Sequence, residues 1–183
     1  MQTYIALLRG INVSGHKIIK MERLRQVLTE LNFQNIATYI QSGNIIFESS
    51  IADSSDLEVQ ISQKILEHFG FEVPVRITTL DELQQIVVEN PFIKENLEDP
   101  TQPYVAFLSA VPSEANFANL KAIDFGNDQF INKRKVIYLW YAESAAHTKL
   151  SNVAIEGKLK LKATSRNWKT IQKVIALAEG LKK

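Results

Sequence analysis

YIALLRGINVSGHKIIKMERLRQVLTELNFQNIATYIQSGNIIFE, residues 4–48, decides the fold. Tyr4 to Leu8 is a short apolar run broken at Arg9-Gly10, the pattern of a buried strand. Met21, Leu24, Leu28 and Leu31 then recur at i, i+3, i+7 and i+10, one face of a helix with a period of 3.6 residues. Ile36 to Gln41 and Asn44 to Glu48 are two β-rich runs parted by Ser42-Gly43, where glycine supplies the positive φ of a tight hairpin. Strand, helix and hairpin in this order are the opening of a split βαβ unit.

Outward from this stretch, Ser55 and Glu58 match a capping box for a helix whose apolar stripe is Leu57, Ile61, Ile65 and Phe69. Glu72 to Thr78 reads as a fourth strand, which completes β-α-β-β-α-β. Thr79 with Glu82 matches a second capping box, for a helix that Asn90-Pro91 ends. Pro91 to Pro103 holds three of the five prolines and reads as a connector. The order then repeats: a strand at Tyr104 to Leu108, a helix opened by Ser113, a weak strand at Asp124 to Ile131, a strong one at Lys135 to Tyr141, and a helix from about Ser151. A helix from Trp168 takes the place of the last strand. The expected fold class is α+β, two tandem ferredoxin-like (βαββαβ) units, the second degenerate, each an antiparallel sheet with helices. The expected divisions are a first unit at 1–79, a helix and linker at 80–102, and a second unit with its C-terminal helix at 103–183. Tyr4 to Leu8 and Val136 to Trp140 are apolar on both faces of their strands, so both sheet faces are expected to be covered, by the other half or by a homodimer partner.

The 183 residues carry 45% hydrophobic and 22% charged side chains and no cysteine, which excludes disorder, disulfide scaffolds and thiol chemistry. The apolar stretch before Arg9 is too short for a secretion signal, and the longest apolar run, Val136 to Ala142, is far below the roughly 20 residues of a membrane helix. A cytoplasmic protein without a membrane partner is expected, as a monomer or homodimer. The net charge of +1 conceals a division: residues 1–131 hold 9 basic and 17 acidic residues, and residues 132–183 hold 12 basic and 3 acidic. The C-terminal third therefore presents a basic face, to an anionic ligand or to the acidic remainder of the chain.

In a split βαβ unit the third strand lies between the first two, so the loops after strand one and between strands two and three share one edge. Arg9-Gly10-Ile11-Asn12 and Gln41-Ser42-Gly43-Asn44 fall there, and Asn12 to Lys20 adds Ser14, Gly15, His16, Lys17 and Lys20 ahead of a helix N-terminus, which attracts anions. Thr164-Ser165-Arg166-Asn167-Trp168 precedes the final helix, with Thr164 or Asn167 as its cap and Arg166 placed to grip a phosphate or carboxylate. His16, His68 and His147 lack ligand spacing, so no metal and no cofactor is assigned. Tyr138 and Trp140 share a strand face beside the basic third, where they either pack in the core or stack on bases.

YIALLRGINVSGHKIIKM, TYIQSGNIIFES and ATSRNWKTIQKV resemble the three diagnostic stretches of the bacterial family catalogued as domain of unknown function 1697. The resemblance implies a cytoplasmic two-part α+β protein with tandem ferredoxin-like halves and brings no established activity. Its polar motif positions fall on Arg9, Gly10, Asn12, Gly15, Lys20, Tyr39, Gln41, Ser42, Gly43, Asn44, Thr164, Arg166, Asn167 and Thr170, while Ser14 and Ser165 stand where the family often has glycine and threonine. A signature without His, Asp or Glu suits recognition better than proton transfer, so no catalytic residue is assigned and turnover is left open. Three readings remain open. The first is a site for a small phosphorylated or carboxylated ligand lined by Arg9, Asn12, Lys17, Lys20, Gln41, Ser42, Asn44, Arg166 and Asn167. The second is nucleic-acid binding through Lys133, Arg134, Lys135, Lys158, Lys160, Lys162, Lys169 and Lys173. In the third the motifs only hold the fold, and function runs through a protein partner.

Overall fold

The computed structural model describes residues 1–93 and 99–181, so residues 94–98 of the expected connector lie outside it. The chain is α+β, with two four-stranded antiparallel sheets and six helices among the described residues. It divides into two units, one made of residues 1–88 and 172–183, the other of residues 89–171.

The first unit runs β1 (Gln2–Leu8), α1 (Met21–Thr29), β2 (Gln34–Tyr39), β3 (Asn44–Ser49), α2 (Ser54–Phe69), β4 (Val75–Thr79) and α3 (Leu80–Val88). Its sheet has the order β2-β3-β1-β4, the ferredoxin-like arrangement expected from the element order. One face of β1 and β3 supplies Tyr4, Ala6, Leu8, Ile45 and Phe47 to the core, and the helices add Leu24, Leu28, Leu57, Ile61 and Ile65. Each buried leucine, isoleucine and phenylalanine among them contributes roughly 1.5–3 kcal/mol by leaving water. Of the stripes read from the 3.6-residue period, Met21, Leu24, Leu28, Leu57, Ile61 and Ile65 are buried, because that face of each helix meets the sheet, while Leu31, past the end of α1, and Phe69 are half-buried against the same core.

The second unit runs β5 (Tyr104–Leu108), α4 (Glu114–Lys121), β6 (Gln129–Lys133), β7 (Val136–Trp140), α5 (Asn152–Leu159) and β8 (Ala163–Asn167); α6 (Trp168–Leu181) follows, its residues from Gln172 onward belonging to the first unit. Its order, β6-β7-β5-β8, repeats that of the first sheet. The expectation that a helix replaces the last strand is corrected here. Ala163–Asn167 pairs with β5 along its whole length, from Leu108 opposite Ala163 to Tyr104 opposite Asn167. Of its five residues Ala163 and Asn167 are of types depleted in strands and only Thr164 is of a type enriched there, so the pairing partner decides the conformation. Asn167 is both the last strand residue and the cap of α6, its side-chain oxygen accepting from the Thr170 amide at 2.9 Å. Thr79 does the same at the β4–α3 junction, reciprocally with Glu82 as expected. The Ser55–Glu58 box is also corrected: Asp53 caps α2, and Glu58 reaches instead to Arg76 and the Ile77 amide.

Candidate functional site

At one edge of the first sheet two loops are tied together by main-chain and asparagine hydrogen bonds. The Leu8 amide donates to the Gly43 carbonyl at 2.8 Å, and the Arg9 amide donates to Pro74 at 3.0 Å, so the exit of β1 touches both the β2–β3 turn and the segment leading into β4. Asn12 then closes the Asn12–Lys20 loop. Its side-chain oxygen accepts from the Ile19 amide at 2.8 Å, and its NH2 donates to the Ile19 carbonyl at 3.0 Å and to the Gln41 carbonyl at 2.8 Å. Asn44, fully buried, acts alike on the turn, donating to the Tyr39 carbonyl at 3.0 Å and the Ser42 hydroxyl at 3.2 Å. Gly43 admits nothing larger, since a Cβ there would lie 2.6 Å from the Leu8 Cβ.

These restraints hold an unusual backbone. Asn12, Ser14, Lys17 and Ile40 all have φ near +50°, and Gly10, Gly15 and Gly43 are also left-handed. A β-branched residue such as Ile40 rarely adopts this conformation. Non-glycine residues held so cost about 1–3 kcal/mol each, and such strain clusters at ligand clamps and active sites.

The side chains presented by the two loops are mostly exposed: Ser14, His16, Lys17, Lys20, Gln41 and Ser42. Lys17 donates to the Glu72 carbonyl at 2.6 Å with its ammonium 6.0 Å from the centre of the Phe71 ring. Lys20 is the residue before α1 and provides no side-chain cap to its amides. Arg9 is half-buried, and burial lowers the pKa of its guanidinium from the usual value. Val13, Ile18 and Ile40 are 58%, 57% and 48% exposed, so the loops offer apolar surface beside the cations.

The sequence-derived residues thus separate by role. Asn12 spends its amide on the backbone, Asn44 spends its own on the Tyr39 carbonyl and the Ser42 hydroxyl, and both position the loops, whereas Arg9, Lys17, Lys20, Gln41 and Ser42 make up the polar surface. Arg166 and Asn167 lie on β8 of the second unit. Arg166 donates to the Ser165 carbonyl at 2.9 Å, and burial pulls its guanidinium down to about 10. Base stacking on the second sheet is set aside, because Tyr138 and Tyr141 are core residues and Trp140 packs on Phe92.

The sequence reading passed over a polar pocket in the second unit, lined in part by Asp128, Ser144, His147 and Thr148. Ser144 Oγ and His147 Nδ1 are 3.2 Å apart, and Asp128 accepts from the Ala142 amide and the Thr148 hydroxyl. Three-residue spacing was the available signal for the Ser144–His147 pair, but spacing that short within a loop is met in ordinary turns. No cluster of three or more metal-ligating side chains occurs among the described residues, and no helix there is long and apolar enough to cross a membrane.

Tandem ferredoxin-like α+β units with a strained, cation-bearing loop pair define the class of protein. The chain belongs to the family described as protein of unknown function (DUF1697), whose model matches residues 1–138. It is similar to the conserved bacterial protein SP0830 from Streptococcus pneumoniae, with 24% identity over 97% of this chain and 98% of that one and a TM-score of 0.69, a likeness of fold. None of the curated proteins matches it.

Proposed function

We propose that the protein binds a small anionic ligand, phosphorylated or carboxylated, at the edge of the first unit where the Arg9–Lys20 and Tyr39–Asn44 segments meet. The supporting observation is the group of left-handed non-glycine residues, Asn12, Ser14, Lys17 and Ile40, pinned by the amides of Asn12 and Asn44. Loops fixed in this way lose little further entropy when a ligand arrives. Arg9, Lys17 and Lys20 bring positive charge, Gln41 and Ser42 bring hydrogen-bonding groups, and Val13, Ile18 and Ile40 suit an apolar part of the same ligand. Arg166, with Asn167 beside it, is a second anion-binding candidate on the other unit. A cysteine-free chain handling phosphorylated metabolites fits a cytoplasmic setting.

The test is a thermal-shift panel of phosphate, sulfate, sugar phosphates, nucleotides and coenzyme A against the wild type, Arg9→Ala, Lys20→Ala and Arg166→Ala. A ligand at 100 times its dissociation constant stabilises by about 2.7 kcal/mol, which raises Tm by several degrees. The expected result is a shift in the wild type that Arg9→Ala and Lys20→Ala abolish. A shift that both variants retain moves the site elsewhere, and a panel without any shift rejects the reading.

A further inference from the structure

We infer that the second unit carries a docking edge for the phosphate backbone of nucleic acid, formed by Arg134, Lys135, Lys158, Lys160 and Lys162. The edge corresponds, within its own sheet, to the candidate site of the first unit. The Leu108 amide donates to the Lys135 carbonyl at 2.8 Å, as Leu8 does to Gly43, and the Ser109 amide donates to Lys162 at 3.0 Å, as Arg9 does to Pro74. The Lys162 amide returns a bond to the Ser109 hydroxyl at 3.1 Å. The β6–β7 turn, the end of β5 and the start of β8 therefore share one edge, and the end of α5 joins it through Lys160, two residues before Lys162.

All five cations are exposed, and none makes an ion pair among the described residues. Glu156, the acid nearest them in sequence, has a side-chain oxygen engaged by the Ala163 amide at 2.8 Å. The bland account of such lysines is compensation of a helix C-terminus, and Lys158 in the last turn of α5 fits it. Arg134, Lys135 and Lys162 stand at no helix end. Arg134 occupies a hairpin tip at φ 53°, and Asn132 fixes that tip by donating to the carbonyls of Arg134 at 3.0 Å and Val136 at 2.8 Å. A non-glycine residue locked in a left-handed conformation so as to present a cation is the device already met at Lys17 in the first unit.

Cations from three separate segments along one edge exceed what a single phosphate engages and match a ligand whose charges repeat. Tyr138 and Tyr141 are in the core and Trp140 packs on Phe92, so these aromatics of the second sheet do not serve as base-stacking platforms, and contact is with the backbone and is independent of sequence. Residues 89–171 as a whole carry 11 basic and 9 acidic residues, so the positive charge is concentrated at this edge and a polyanion is drawn to it locally. This inference does not depend on the small-ligand reading.

The test is fluorescence anisotropy of the full chain with a labelled duplex DNA of arbitrary sequence, titrated across salt concentrations. Five phosphate contacts at about 0.9 each give a log-log slope of about −4.5, a loss of roughly 500-fold between about 50 and 200 mM salt. Arg134→Gln combined with Lys135→Gln and Lys162→Gln leaves two contacts, a slope of about −1.8 and a loss of roughly 12-fold. A charge-matched control, Arg23→Gln with Lys64→Gln and Lys149→Gln, is expected to keep the wild-type slope, and circular dichroism melts verify that both triple variants fold. Binding indifferent to salt, an unchanged slope in the edge variant, or an equal loss in the control overturns the inference. So does attachment to vesicles of phosphatidylcholine and phosphatidylserine without DNA binding, which would assign the edge to a lipid surface.

Discussion

Asn12 uses its whole side chain on neighbouring backbone, and that makes it a sharper probe of the loop pair than any of the cations. Asn12→Ala removes three hydrogen bonds and places alanine at φ 55°, so a loss of about 2–4 kcal/mol is expected in urea unfolding. Asn12→Gly keeps the backbone at ease and is expected to recover about 1 kcal/mol of that loss. Gly43→Ala is worse than either, because its Cβ would meet Leu8 at 2.6 Å and the Ile11 Cδ1 at 2.8 Å while φ stays at 78°. Little soluble folded protein is expected from it. Wild-type stability in Asn12→Ala would show that the pinning contributes nothing, and the preorganisation argument for the site would go with it. The sequence placed these residues at one edge correctly, since strand order alone brings the two loops together. It could not divide them into positioners and presenters, because Asn12 and Gln41 are both polar loop residues until their hydrogen bonds are drawn.

At the scale of elements, legibility followed how local the signal was. The apolar stripes of α1 and α2 and the Thr79–Glu82 box depend on residues within a few positions of each other, and they were readable. Strand β8 depends on β5, more than fifty residues away, so its composition suggested only a cap. The start of α2 shows the same limit in miniature. Ser55 and Glu58 have the right spacing, but Asp53 accepts from the Ser55 amide at 2.7 Å and Glu58 is drawn off by Arg76 at 2.8 Å and the Ile77 amide at 2.9 Å. Asp53→Ala is therefore expected to cost about 1 kcal/mol and Ser55→Ala close to nothing. Equal losses at the two positions, measured by thermal or urea unfolding, would restore the capping box that the sequence suggested.

For the whole molecule, the repetition of one fold is written in backbone hydrogen bonds and strand order, with hardly any residue in common, which is why it was legible only as an order of elements. Both copies also bury tyrosine, and this gives the chain a shared alkaline weakness. Burial, then Glu82, raises the pKa of Tyr4; burial, then Tyr104 and Asp128, raises that of Tyr141; and burial, then Glu89, pushes Tyr138 up to about 12. An unfolded tyrosine ionises near pH 10, whereas the folded ones keep their protons, so between pH 10 and 12 the unfolded state binds fewer protons and is favoured. Stability is thus complete below pH 10 and falls as pH rises through the folded pKa, by roughly 2–3 kcal/mol for Tyr138 alone. Tyr138 isolates the effect because its hydroxyl is buried without a hydrogen-bond partner among the described residues. Tyr138→Phe removes that unsatisfied group and is expected to match or exceed the wild type at pH 8, by up to about 1 kcal/mol. Between pH 9 and 12 the variant should lose less stability than the wild type, since titrations of groups remote from Tyr138 cancel in the difference. Parallel urea midpoints for the two proteins across that range would mean that the Tyr138 hydroxyl reaches water and ionises as it does in the unfolded chain.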